Sequence, residues 1–200
     1  MGRPRQFDEQ ALLAAAVELF WAKGFDTTSV DDVSRATGIG NGSIYAAYTS
    51  KRGLFLAAFE RYCEQRARFV RETLESAPGS ARDAVRTLCR AVIDDCAAHP
   101  DHRGCLMLNS IAHLATRIPE VATIATRTTT AMETAVADRL RPAMPHPDEA
   151  LLSTLGASVI MTTQGLIQLS RIGVPPSRLG EIADVSCEVL PPDWADLPRI

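Results

Sequence analysis

Aromatic residues are nearly missing from the second half of the chain: ten of the eleven lie at or before Phe69, and the other is Trp194. That half must build its interior from aliphatic, Met, Thr and small side chains. A ligand cavity there would lack flat walls, which favours a compact aliphatic or small polar ligand over a polycyclic one. Alternating β-branched runs are scarce too, so no sheet is expected. No window reads as long and apolar enough to span a bilayer, and no membrane partner is expected. The polar start Met1–Gln6 has no apolar run behind its arginines, unlike a secretory signal. The five cysteines (Cys63, Cys89, Cys96, Cys105 and Cys187) are odd in number and scattered, so they read as thiols of a cytoplasmic protein rather than a secreted disulfide framework. Enzyme signatures are also missing. There is no phosphate-binding glycine loop, no Gly-x-Ser-x-Gly elbow and no compact Ser/His/Asp or paired-carboxylate cluster, so neither a catalytic residue nor a cofactor is expected.

What is present is helix. With 46% hydrophobic and 22% charged residues the chain fits a globular protein, and Ala, Leu, Val and Arg recur at three- to four-residue spacing. The predicted fold is all-α. Asp8 is a candidate N-cap, with Phe7 stapling onto Leu12, for a helix whose Leu13, Ala16, Val17 and Phe20 share a face until Gly24. Ser29-Val30-Asp31-Asp32 is a capping box, and Gly38 supplies the left-handed turn that ends the helix it opens. Asn41–Tyr48 is long enough for two turns, and Ser50 is an N-cap for a long helix over 51–75. Ser76-Ala-Pro-Gly-Ser80 punctuates the chain. The expected organisation is an N-terminal domain over 1–50 with an arm at 1–6, a connecting helix over 51–75, and a C-terminal domain over 80–200. Helices are predicted there at 81–98, 104–115, 119–140, 147–172 and 176–189.

Two short helices around a glycine turn form a helix-turn-helix, whose second helix lies in the major groove. The net charge of −3 would oppose nucleic acid if evenly spread, so the placement of the cations decides. The runs Gly24-Phe25-Asp26-Thr27-Thr28-Ser29-Val30-Asp31-Asp32-Val33, Gly38-Ile39-Gly40-Asn41-Gly42-Ser43-Ile44-Tyr45 and Ser50-Lys51-Arg52-Gly53-Leu54-Phe55 closely resemble the N-terminal signature of the TetR family of transcriptional regulators. The resemblance is strong over about 7–59 and only architectural beyond.

It implies an operator-binding homodimer, commonly a repressor. Thr28 and Ser29 would offer hydroxyls and amides to a phosphate at a helix start, alongside ordinary capping. Asn41, Gly42 and Ser43 would approach base edges. Tyr45 matches a family tyrosine that commonly reaches a phosphate, Tyr48 suits either contact or core packing, and Lys51, with Arg52 beside it, matches a lysine that meets the sugar-phosphate backbone. Arg3 and Arg5 resemble a basic arm entering an A·T-rich minor groove; a merely flexible tail is the alternative. Ala46 and Ala47 depart from bulkier residues in many relatives, which shifts readout toward Asn41, Ser43 and DNA shape.

In the second half, the family usually binds an effector and dimerises. The candidate dimer contacts are Leu152, Gly156, Val159, Ile160, Leu179 and Ile182, with intrachain core packing as the alternative. Candidate effector contacts are Cys105, Met107, Asn109, His113, Met132, Met161 and Gln164, which could equally be core. Cys105, read at a helix start beside Arg103, is a candidate electrophile or oxidant sensor, with Cys96 as a resolving partner. The Gly104-Cys105-Leu106 stretch resembles one in a TetR subgroup that includes electrophile-responsive members. A small buried apolar residue is the other reading. His99, His102 and Cys105 share a three-residue spacing but lack a fourth ligand, so no metal is expected. A helical adaptor with a vestigial motif is the rival to the regulator.

Overall fold

The structure, a computed structural model, describes residues 7–190 apart from 145 and 147. Among these it contains helices and no strand, as the periodicity predicts: α1 (Glu9–Lys23), α2 (Val30–Thr37), α3 (Asn41–Tyr48), α4 (Lys51–Ser76), α5 (Ala81–Ala97), α6 (Leu106–Leu114), α7 (Pro119–Leu140), α8 (Glu149–Arg171) and α9 (Pro176–Cys187). A 3-10 turn at Arg141–Ala143, not anticipated from the sequence, follows α7.

The caps explain the boundaries. Asp8 accepts the amides of Gln10 and Ala11. Ser29 and Asp32 close one reciprocal capping box and Ser80 and Asp83 another. Ser50 Oγ accepts the Gly53 amide at 3.0 Å. Gly38, at φ 71° and ψ 4°, takes the left-handed conformation that ends α2. α6 starts later than predicted, because Cys105 is extended (φ −113°, ψ 127°) and serves as the N-cap rather than as a helical residue.

The described residues form two compact units that do not follow a single cut in the sequence. The first comprises residues 7–64 and Cys105–Ala125; the second comprises 65–104 and 126–190. α4 and α7 each contribute residues to both.

The interior of the first unit is aromatic. Phe20 meets Phe55 edge-on with ring centroids 5.1 Å apart, Phe25 meets Phe55 at 5.0 Å, and Phe55 stacks on Phe59 at 5.6 Å. Phe20, Phe55 and Phe59 are completely enclosed. Each contributes about 1.5–3 kcal/mol through burial, and each ring pair adds about 0.5–1.5 kcal/mol.

The second unit has an aliphatic core in which α5 packs on α8 and α9. Leu88, Val136, Leu140, Leu152, Ile160, Leu166 and Leu179 are buried there. Gly156 permits close approach, since a Cβ at that position would lie 2.6 Å from the Glu133 carbonyl oxygen of α7.

This arrangement corrects the candidate dimer contacts. Leu152, Gly156, Val159, Ile160 and Leu179 are buried within their own chain, and Ile182 is half-buried against the same core. The outward stripe of α8 is a different one: Leu151, Thr154, Met161 (68% exposed), Gly165 and Gln168, continued by Ile172. On α9 the exposed apolar residue is Val185, with Val189 just beyond. Periodicity located the apolar helices but could not say which of two apolar faces turns inward. The expectation that no segment could span a bilayer also fails as stated. α8 is long and apolar enough by length and composition, although a third of that window is buried in the protein.

Candidate nucleic-acid interface

α2, the turn at Gly38–Gly40 and α3 set up a helix-turn-helix in which α3 is anchored from beneath. Ile44 is 1% exposed. Tyr48 is half-buried, and its hydroxyl donates to Glu9 Oε1 of α1 at 2.9 Å. These two residues hold one face of the helix down, which exposes Asn41, Gly42, Ser43, Tyr45 and Ala46 on the other. Tyr45 is 49% exposed, with its phenol available to a partner. Asn41 Nδ2 donates to Asp31 Oδ1 at 3.3 Å. Nothing lies within 4 Å of where a Gly42 Cβ would be, so this glycine leaves an open notch in the exposed face.

The remaining candidates do different work. Thr28 is 1% exposed, and its hydroxyl donates to the Gly24 carbonyl at 2.7 Å, so it closes the α1–α2 turn from inside and cannot reach a phosphate. Ser29 is exposed, but its hydroxyl donates to Asp32 Oδ2 at 2.6 Å while accepting the Asp32 amide at 3.1 Å. Those bonds hold the Asp32 carboxyl below the usual carboxylate range, so an anion already occupies the helix start proposed for a phosphate. Tyr48 is a packing residue, its hydroxyl already engaged within the chain. Lys51 Nζ donates to the Asp26 carbonyl at 3.1 Å and sits 4.6 Å from the Phe25 ring centroid. Arg52 pairs with Glu120. The arm residues Arg3 and Arg5 lie outside the described residues.

Two features at the α3–α4 junction were missed from the sequence. Ser50 donates its amide to the Tyr48 carbonyl at 2.7 Å, a γ-turn centred on Thr49 at φ 65°. Gly53 lies against that same carbonyl, 2.1 Å from where its Cβ would be. The run Lys51-Arg52-Gly53 was in view, but a close backbone approach leaves no signal in one sequence beyond the glycine itself.

Within the described part of the motif carboxylates outnumber cations. Between residues 7 and 52 there are six carboxylates (Asp8, Glu9, Glu18, Asp26, Asp31, Asp32) and four cations (Lys23, Arg35, Lys51, Arg52). Asp26 is further bound by Arg117, with both guanidinium nitrogens 2.9 Å from its oxygens.

A helix-turn-helix capped, turned and anchored in this way has a match among known proteins. Residues 12–58 fit the family described as "Bacterial regulatory proteins, tetR family". YezE of Bacillus subtilis, named an uncharacterized HTH-type transcriptional regulator, is 29% identical over 194 residues, covering 95% of this chain and 100% of that protein. Over residues 12–58 the chain matches the TetR family. BdcR of Escherichia coli, named an HTH-type transcriptional repressor, is another relative, 29% identical over 189 residues, covering 94% of this chain and 92% of its own length. Among solved structures, a cysteine variant of the TetR family regulator CifR, complexed with a 26-bp operator duplex, is 26% identical with a TM-score of 0.78, covering 94% of this chain and all of that one. The relatives named here are transcriptional regulators rather than enzymes.

Outside the DNA-binding motif, the residues anticipated as effector contacts do not form one group. Cys105, Met107, Asn109 and His113 belong to the first unit, whereas Met132, Met161 and Gln164 belong to the second. Met107 and Met132 are buried, His113 and Met161 are exposed, and Asn109 and Gln164 are half-buried. Cys105 is enclosed and paired within the chain rather than set beside a free cation. It is 7% exposed, and the Tyr62 hydroxyl lies 3.4 Å from its sulfur while accepting the Leu106 amide at 3.3 Å. Arg103 pairs with Asp101 at 2.8 Å. A cleft of about 210 Å³ in the second unit is lined instead by residues including Thr130, Glu133, Thr134, Asp138, Arg141 and Ser153.

Proposed function

We propose that the chain is a dimeric repressor that grips operator DNA through α3 and releases it when an effector occupies its regulatory half. The observation that carries this reading is the exposed run Asn41–Ala46 on a helix pinned from below by Ile44 and Tyr48. Short polar groups, an open notch at Gly42 and an exposed phenol at Tyr45 suit base edges and a phosphate in a major groove. The name of BdcR as a repressor and the operator complex of CifR support the same direction. Asn41, Ser43 and Tyr45 make the principal contacts, with Arg3 and Arg5 entering the adjacent minor groove.

The dimer forms on the outward stripes of α8 and α9, through Leu151, Met161, Gly165, Ile172 and Val185. From Ala150 to Ser170 α8 carries no charged residue, so pairing two copies desolvates no ion. The effector acts by binding better to a dimer geometry that cannot place both recognition helices in successive grooves. A coupling of about 1–3 kcal/mol is sufficient to empty the operator several-fold.

The excess of carboxylates over residues 7–52, before Arg3 and Arg5 are counted, favours a second reading, an adaptor that keeps the helix-turn-helix as a scaffold and binds protein rather than DNA. Footprinting on the DNA upstream of the chain's own gene separates the two. A repressor protects two half-sites related by a dyad and centred about 10–10.5 bp apart or a multiple of that. Protection without a dyad, or none at any protein concentration, excludes the dimeric operator reading.

A further inference from the structure

The second unit contains a thiol pair that plays no part in DNA or effector binding as described above. Cys89 of α5 and Cys187, the last residue of α9, are 0% and 1% exposed and hydrogen-bond to each other across the α5–α9 contact. They share a narrow cleft of about 10 Å³, roughly the room a single water-sized molecule needs. Ser158, Thr162 and Ser186 bring hydroxyls to it, and exposed Val189 stands at its edge. The remaining cysteines, Cys63, Cys96 and Cys105, do not line this cleft.

The geometry points to Cys89 and Cys187 as a peroxide-oxidisable dithiol that closes a reversible disulfide between α5 and α9. The two thiols share a hydrogen bond and a cleft, and the disulfide forms when the sulfurs approach to the bonded distance of about 2.05 Å. The roles are unequal. The hydrogen bond from Cys89 and the nearby Arg86 guanidinium draw the Cys187 thiol down, whereas donating that bond and being buried push the Cys89 thiol up. Cys187 is therefore the attacking sulfur. Its thiolate attacks one oxygen of hydrogen peroxide, the O–O bond breaks, and hydroxide leaves to be protonated to water, which yields a sulfenic acid. Cys89 sulfur then displaces the sulfenic hydroxyl. Its proton and that hydroxyl leave as a second water, and the disulfide forms. In sum, two thiols lose two electrons and two protons, and one peroxide becomes two waters. The cleft, with room for about one water-sized molecule, is too small for glutathione or a bulky electrophile.

Every cysteine of this chain falls on a different tryptic peptide, so mass mapping identifies the bond without ambiguity. The test treats the purified full-length protein with a few equivalents of hydrogen peroxide, digests it without reductant and maps linked peptides. The expected result is a species joining residues 87–90 to 179–199, two hydrogens lighter than the sum, with loss of two of the five thiols and full recovery in dithiothreitol. Cys187→Ser removes the linked species and leaves Cys89 reduced, while Cys105→Ser leaves the linkage intact. Recovery of both thiols unmodified while Cys96 oxidises overturns the proposal. So does a dominant linkage through Cys63, Cys96 or Cys105, or one between two chains.

Discussion

Replacing Gly53 by alanine adds one methyl group at the point where α4 meets the end of α3. The new Cβ would lie 2.1 Å from the Tyr48 carbonyl oxygen, whereas real Cβ atoms essentially never come closer than 3.0 Å, so the partners must separate by about 0.9 Å. Neither side yields easily. The carbonyl is held by the Ser50 amide at 2.7 Å, and the first turn of α4 is held by the Ser50 hydroxyl on the Gly53 amide at 3.0 Å. Alanine is favoured over glycine in a helix by about 1 kcal/mol, but forcing atoms into a filled space costs about 1–3 kcal/mol, toward the upper end where the obstacle is backbone. The net loss is about 1–2 kcal/mol. For a chain of this size that lowers Tm by about 2–8 °C. The displaced element is the recognition helix, so operator affinity falls as well, by more than stability alone accounts for. The assay is a thermal melt followed by circular dichroism, paired with anisotropy binding to operator DNA. Gly180→Ala is the control, since nothing lies within 4 Å of its Cβ position in α9, and it should be neutral or raise Tm by a few degrees. Gly53→Ala melting at or above wild type with unchanged DNA binding refutes the reasoning.

Other substitutions separate the roles of individual residues. Phe55→Ala empties the centre of the aromatic cluster and should cost about 3–5 kcal/mol, read as a lower urea midpoint. Ser29→Ala removes a capping box and should cost about 0.5–2 kcal/mol at neutral pH. The Asp32 carboxyl in that box is held below its ordinary value near 3.8, so its contribution is present above that value and is lost as pH falls through the lowered one. The gap between wild type and Ser29→Ala therefore narrows in acid, which urea melts at pH 7 and pH 3 would show. Met161→Asp places a charge on the outward stripe of α8 and should convert dimer to monomer in sedimentation with little change in helicity, whereas Leu152→Ala should lower stability and leave the dimer intact. Removing residues 1–6 deletes Arg3 and Arg5 from a motif whose other charges sum to negative. The slope of log K against log salt should fall by nearly two per subunit, and an unchanged slope argues against the arm.

The parts of the fold readable in advance were those written in local chemistry. Asp8, the Ser29–Asp32 box, Gly38 and the eight-residue span of α3 depend on neighbours within four positions, and they appear where the sequence places them. What was not readable depended on which neighbour lies across the gap. Leu152 and Met161 sit on the same apolar helix, yet one enters the core and the other faces outward, and only the packing of α5 and α7 decides between them. Lys51 reads as a phosphate ligand by position but is drawn onto Phe25 and Asp26 by a turn 25 residues earlier. Periodicity puts Cys105 one step inside a helix; its extended backbone and the Tyr62 hydroxyl 43 residues away put it in the interior instead.

Operator binding by the exposed face of α3 is open to direct measurement. The measurement that tests it most directly is fluorescence anisotropy with DNA from just upstream of the chain's own gene, for wild type, Tyr45→Ala and Asn41→Ala at two salt concentrations. Tight binding that weakens steeply with salt is expected. Tyr45→Ala should lower affinity on every sequence with no change in Tm, and Asn41→Ala should narrow the gap between operator and random DNA. Binding equal on operator and random DNA, with neither variant differing from wild type, would contradict it.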